Sequence, residues 1–233
     1  GFDWVQRPLA AGLAARLTPK ERQEALDPLL AADSPPIQGP VLIVAGGTDP
    51  RVEDQMQSYA DLMVEALSAF SGTVISGGTT QGISGVVGDA AEACSDRIHT
   101  IGYLPELLPK DATKDTDSSR YSEIRHTDGR GFTPLEPLQN WIDLMGSGIG
   151  PSEVRALGVN GGAIAGAEYQ MALALGAKVA LVSDSGRAAS QMLSDPFWAA
   201  SLGLVALPPD TATLQAFVAW KPMEEPGETD KVL

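Results

Sequence analysis

"VISGGTTQGISGVVGDAAEA", Val74 to Ala93, decides how this chain is read. An apolar run ending at Ser76 gives way to Gly77, Gly78, Thr79, Thr80, Gln81 and Gly82, and alanine-rich helix formers follow. A flexible linker would use such small residues. So would a loop whose backbone must approach another group closely, because glycine presents no side chain there. What lies on either side favours the second reading.

"TVIS" (Thr73–Ser76) is a short apolar strand and Val86–Cys94 a helix, so the glycines sit at a strand-to-helix turn. The same unit recurs. "VLIVAGG" (Val41–Gly47) is an apolar run suited to a strand covered on both faces. Asp49 and Pro50 then suit a helix start, and Val52, Met56, Tyr59, Met63, Leu67 and Phe70 recur on one face of a helix over 51–70. Further strands are expected at Arg97–Pro105, Val154–Val159, Lys178–Ser183 and Gly203–Pro208. Helices are expected over Pro137–Met145, Ile164–Leu175, the start at "GRAASQML" and Thr211–Trp220. Strands alternating with helices predict an α/β, Rossmann-like doubly wound parallel sheet. Residues 1–38, helical and closed by "DSPPIQGP", form an N-terminal helical extension. Residues 39–221 form the main domain, with a long irregular insert from Glu106 to Thr133, and 222–233 a disordered tail.

Composition limits the function. The 233 residues carry a net charge of −14. Such a field repels duplex nucleic acid and anionic membrane surfaces, yet leaves room for a small anion held locally by backbone amides. No apolar run approaches the roughly 20 residues that cross a bilayer, and the opening "GFDWVQRPLAAGLAARL" does not read as a signal peptide. Cys94 is the only cysteine, so no internal disulfide forms and a cytoplasmic setting is expected. Two histidines and one cysteine make a zinc site unlikely on composition, and no metal or other cofactor is expected.

In a doubly wound sheet, ligands sit outside the carboxyl ends of the strands. Four loops there are poor in side chains: Gly46-Gly47-Thr48; Gly78-Thr79-Thr80 with Gly82; Gly161-Gly162-Ala163; and Ser185-Gly186-Arg187. Each precedes a helix, whose first amides point outward with partial positive charge. No Gly-Lys-Ser/Thr follows and no clean G-x-G-x-x-G is present, which excludes a P-loop and disfavours a dehydrogenase fingerprint. Arg187 stands at a helix start, where a cation opposes the helix dipole, so a bound phosphate or a carboxylate is its expected partner. Glu168 points along the apolar stripe of its helix, and is either satisfied by loop amides or faces the cleft.

These loops resemble the SLOG superfamily, which includes the cytokinin-activating LOG phosphoribohydrolases, the DprA-like proteins and the N-terminal sensor domain of melastatin-type TRP channels. "VISGGTTQGISGVVGDAAEA" is similar to the LOG-type strand-loop-helix, and "LGVNGGAIAGAE" occupies the place of P-G-G-x-G-T-x-x-E. "ALVSDSGRAAS" resembles the melastatin-type version, shared by prokaryotic relatives. Gly161, Gly162 and Glu168 match the LOG motif. Asn160 replaces its proline, Ile164-Ala165 replace its Gly-Thr, and the LOG-type arginine has no assigned counterpart. The resemblance implies a domain that senses ADP-ribose, cyclic ADP-ribose or a related NAD-derived nucleotide and signals to a fused or partner effector, or through a homo-oligomer. The phosphates would lie on the amides of Thr48, Thr79, Thr80 and Ala163. The alternative it implies is a nucleoside-monophosphate phosphoribohydrolase with Glu168 as acid/base. A protein-interaction scaffold with a vestigial cleft is the third reading.

Overall fold

β1 (Val41–Gly46) lies at the centre of a seven-stranded, wholly parallel sheet. The computed structural model describes residues 18, 20, 34–108 and 118–219. Strand order is β4-β3-β2-β1-β5-β6-β7, with β2 Gly72–Ser76, β3 Ile98–Pro105, β4 Glu123–Thr127, β5 Val154–Val159, β6 Lys178–Val182 and β7 Leu204–Leu207. The chain winds from β1 outward to β4, then returns to pair β5 with β1, Ile43 standing beside Ala156. The order reverses between β1 and β5, and the loops leaving their carboxyl ends diverge there to leave a crevice.

Alternation explains why every central strand is apolar. Val41, Ile43 and Ala45 face one layer, made by α4 (Leu135–Gly146), α5 (Ala163–Leu175) and α6 (Arg187–Ser194). Leu42 and Val44 face the other, made by α1 (Glu53–Gln57), α2 (Ala60–Leu67), α3 (Gly82–Ala93) and α8 (Thr211–Ala219). A short α7 (Pro196–Ala199) follows α6. Both faces of the sheet are therefore covered, as an all-parallel sheet requires.

Three sequence expectations change. The helix expected over 51–70 is divided into a 3-10 turn at Pro50–Val52, α1 and α2, with its apolar stripe still inward at Met56, Met63 and Leu67. Helix α3 starts at Gly82, four residues before the first valine, because the small residues Gly82, Gly85 and Gly88 are buried within it. The insert is not wholly irregular: β4 extends the sheet from inside it. Its charges concealed the strand, since Arg125 is buried as an ion pair with Asp143 (Nη1 to Oδ2, 3.1 Å) and bonds Glu123 Oε1 at 2.7 Å. As a sheet edge, a strand with charged residues also resists pairing with other chains. The helical extension and the tail fall outside the described residues, apart from 18, 20 and 34–38; there, Pro35 accepts a hydrogen bond from Arg125 Nη2 at 2.6 Å.

Candidate functional site

A cavity of about 580 Å³ opens at the β1/β5 switch point. Of the residues expected to hold a ligand, Gly46, Thr48, Thr79, Gly162, Ala163, Glu168 and Arg187 form its wall. They come from all four loops and, with Glu168, from α5, so the turns converge on one hollow.

The remaining candidates shape the loops from behind. Gly47 donates to the Val159 carbonyl at 3.2 Å and its own carbonyl accepts from Ile83 at 3.0 Å, clamping β1, β5 and α3 together. Gly82 has φ +55 and donates to Glu53 Oε2 at 2.9 Å; a Cβ there would also collide with the Gly47 carbonyl. Gly78 packs against Gly102 of β3. Thr80 stands outside the wall, where its carbonyl meets Gly85 of α3. Ser185 is fully buried: its Oγ donates to the Val182 carbonyl at 2.7 Å and accepts from Asn160 N at 2.8 Å. Gly186 donates to Ser190 Oγ at 2.9 Å.

The helix starts differ in what they offer. At α6, Ala188 and Ala189 donate to the carbonyls of Gly161 (3.1 Å) and Asn160 (2.8 Å), so those amides are occupied by the neighbouring loop. At α3, Gly82 and Ile83 are similarly engaged. Helix α5 is open. Gly162 is its N-cap without any side-chain cap bond, and Gly162, Ala163, Ile164 and Ala165 all line the cavity. The first amides of a helix have no intrahelical acceptor, so these present their donors to the hollow.

Arg187 reaches this helix start from α6. Its Nη2 lies 3.6 Å from where a Gly162 side chain would begin, and 3.6 Å from Asp49 Oδ2. Asp49 is committed elsewhere: Arg51 Nη2 binds the same oxygen at 2.6 Å, and the Arg51 side-chain and backbone hydrogen bonds hold the carboxyl well below the usual range. Arg187 is therefore a partly exposed guanidinium without a short ion pair. Its φ of +48 places it in the left-handed region, costly for a residue with a side chain. Asn160, where the LOG motif has proline, has φ +61, which a proline ring cannot adopt. Its Nδ2 donates to the Ser185 carbonyl at 2.6 Å and to Gln55 Oε1 at 3.2 Å, so it ties the β5 and β6 loops together.

The floor carries polar side chains. Glu168 is half-buried beneath the α5 start, and burial pushes its carboxyl up to about 7. Asn140 Nδ2 donates to Glu168 Oε1 at 3.4 Å, while Asn140 Oδ1, on a side chain 96% removed from solvent (4% exposed), has no partner. Thr79 Oγ1 is a second buried polar atom on the wall without one. Buried polar atoms are ordinarily paired, so these two stand out among the wall residues. Tyr103, Phe132 and Pro137 provide a flat apolar side.

Asn140 is a residue that loop reading missed. Helix α4 has Glu136, Gln139, Asn140 and Asp143 at i, i+3, i+4 and i+7, a polar stripe among Leu138, Trp141, Ile142, Leu144 and Met145. That spacing ordinarily marks a solvent face. Here all four are buried. Glu136 is satisfied by Thr133 N at 2.7 Å and Thr127 Oγ1 at 2.5 Å, and Asp143 by Tyr103 Oη at 2.7 Å, Arg125 and Gln139. Cys94 is buried in the core. His99 stands exposed on β3, 3.6 Å from Glu123. No group of three or more potential metal ligands occurs among the described residues. No helix among them is long and apolar enough to cross a membrane.

No protein-family model matches this sequence, and no curated protein does. Among solved structures the chain is similar to the molybdenum cofactor carrier protein of Chlamydomonas reinhardtii (17% identity, TM-score 0.55, covering 77% of this chain and 95% of that one). It is similar also to TM1055, a structural-genomics target (14% identity, TM-score 0.53, covering 75% and 95%). Identities this low establish a shared architecture: the chain has the Rossmann-like α/β fold of these proteins.

Proposed function

We propose that this domain binds a phosphorylated nucleotide and works as a sensor. The observation that supports it best is the uncapped start of α5, opening beside Arg187 into a cavity of about 580 Å³. That volume lies within the range of small-ligand pockets. Phosphate oxygens would accept from the amides of Ala163 and Ile164 and from Arg187, a pairing of helix start and guanidinium suited to an anion. Asn140 and Glu168 would take ribose hydroxyls, and the base would lie along Tyr103 and Phe132. ADP-ribose and related NAD-derived nucleotides, which the resemblance to SLOG domains and the melastatin-type sensor implies, have these parts. A protein of this fold whose name is molybdenum cofactor carrier supports a domain that holds its ligand rather than transforming it. On this reading, binding alters a surface read by a fused or partner effector, or by a second copy of the chain.

One observation favours a second reading. A carboxyl held near 7 is half protonated at neutral pH, as a general acid for departure of a base requires. Glu168 would then protonate the base of a nucleoside monophosphate in a LOG-like hydrolysis. Calorimetric titration with ADP-ribose, AMP and adenosine, followed by chromatography for free adenine, separates the two. Saturable binding of the phosphorylated ligands without adenine release is the expected result. Adenine release from AMP establishes the hydrolase, and no heat from any of them removes the nucleotide reading.

A further inference from the structure

The cavity does not end at Arg187. A second hollow of about 560 Å³ opens between α5 and α6, and Gly162, Ala163 and Arg187 are walls of both. The small residues Gly166 and Ala167 keep its floor low, and Gln170, Gln191 and Trp198 close its far side. Trp198 is half-buried and packs against the core on the α5 and α6 side of the sheet, while the exposed Phe197 stands edge-on to it at 5.0 Å between ring centres and 86° between planes.

Charge is distributed along these joined hollows in a particular order. Among the described residues lining either one, Arg187 is the only cation, and it stands at their junction together with the open start of α5. The first hollow ends at Asn140, whose unpartnered, buried Oδ1 calls for a neutral donor. The second ends near Asp195, whose carboxylate accepts from Phe197 N at 2.8 Å and would repel a terminal phosphate. Asp49 also stands at the junction, 3.6 Å from Arg187, but Arg51 already binds its carboxylate at 2.6 Å; a fitting ligand is thus negative in its middle, beside Arg187, and neutral at both ends.

We propose that the ligand is a linear, two-part nucleotide: a nucleoside joined through a diphosphate to a second sugar or ring. The nucleoside occupies the first hollow, the diphosphate crosses the start of α5 beside Arg187, and the distal part lies against Trp198 within reach of Gln170 and Gln191. This rests on the nucleotide reading above and narrows it. A mononucleotide leaves the second hollow empty, and a cyclic nucleotide, with its two ends joined, cannot extend into both.

The test compares ADP, linear ADP-ribose and cyclic ADP-ribose, titrated against the whole chain and its Trp198→Ala and Trp198→Phe variants. The expected result is that linear ADP-ribose binds about tenfold tighter than ADP or the cyclic form, as packing of the distal ribose on the indole together with a hydrogen bond to Gln170 or Gln191 would provide. Trp198→Ala removes that preference and leaves ADP unchanged, while Trp198→Phe retains most of it. Gln191→Trp fills the hollow from an exposed position and abolishes the preference even should Trp198→Ala fail to fold. Equal affinity of the unaltered protein for ADP and linear ADP-ribose overturns the two-part ligand. So does a preference that survives both Trp198→Ala and Gln191→Trp, or a loss shared equally with ADP. Failure of all three ligands to bind the unaltered protein overturns the nucleotide reading itself.

Discussion

Asn140 Nδ2 lies 3.4 Å from Glu168 Oε1, joining α4 to α5 across the floor of the cavity. Two elements distant in sequence thus meet at a carboxyl raised by burial and an amide with one unpartnered oxygen. Each group determines an outcome that can be measured.

Glu168 makes stability depend on pH. Folded, it holds its proton up to about pH 7; unfolded, it releases it near the ordinary carboxyl value of 4.5. Between those values the folded state binds more protons, so this group's contribution is fully present below about pH 4.5, falls as pH rises to about 7, and is flat above. Glu168→Gln removes the dependence. The variant should match the parent near pH 4 and exceed it by on the order of 2–3 kcal/mol at pH 8 in urea unfolding.

Asn140→Leu replaces an amide of similar size. It eliminates the unpartnered Oδ1 while depriving Glu168 of a donor. Stability without ligand should remain within about 1 kcal/mol of the parent. Affinity for ADP-ribose should fall at least about tenfold, the loss of one buried hydrogen bond. Calorimetry and thermal melts together check the pair of outcomes.

Arg187 combines a strained backbone with a guanidinium on the cavity wall. Arg187→Ala should weaken phosphorylated nucleotides by ~1.5–3 kcal/mol, as loss of a charge-assisted hydrogen bond does, and leave adenosine unaffected. Arg187→Gly should lose the same affinity but be more stable than Arg187→Ala by about 1 kcal/mol, because φ +48 is free of strain for glycine. Equal stability of the two variants would contradict the strain.

Asp143 neutralises Arg125 inside the protein. Asp143→Leu leaves that guanidinium with Glu123, the Pro35 carbonyl and, at 3.5 Å, Tyr103 Oη, and also deprives Tyr103 Oη of its carboxylate acceptor. Breaking a buried ion pair from one side costs about 3–5 kcal/mol. A urea midpoint lowered accordingly, with β4 amides exchanging faster by hydrogen exchange, is the expected outcome.

Much of this molecule is legible along the chain because its physics is local. Uniformly apolar runs such as Val41–Gly46 announce strands covered on both faces, and the glycines after them announce turns where backbone must come close. From these the doubly wound parallel architecture and the strand edge that carries the loops follow, though not the order of the strands. Glu168 and Arg187 were also visible, one as a carboxylate in an apolar stripe and the other as a cation at the wrong end of a helix.

What the tertiary structure alone decided concerns pairing at a distance. β4 was hidden because Arg125 and Glu123 look like surface residues until Asp143, from helix α4, neutralises the arginine. Asn140 was hidden because its stripe on α4 has the spacing of a wet face, and only the packing of α4 beside β3 and α5 turns it inward. Equivalent glycine loops likewise became unequal: neighbouring carbonyls fill the start of α6, a carboxylate engages that of α3, and α5 stays open. Secondary structure is chosen by residues a few positions apart, whereas which donor remains free depends on what the rest of the fold brings beside it.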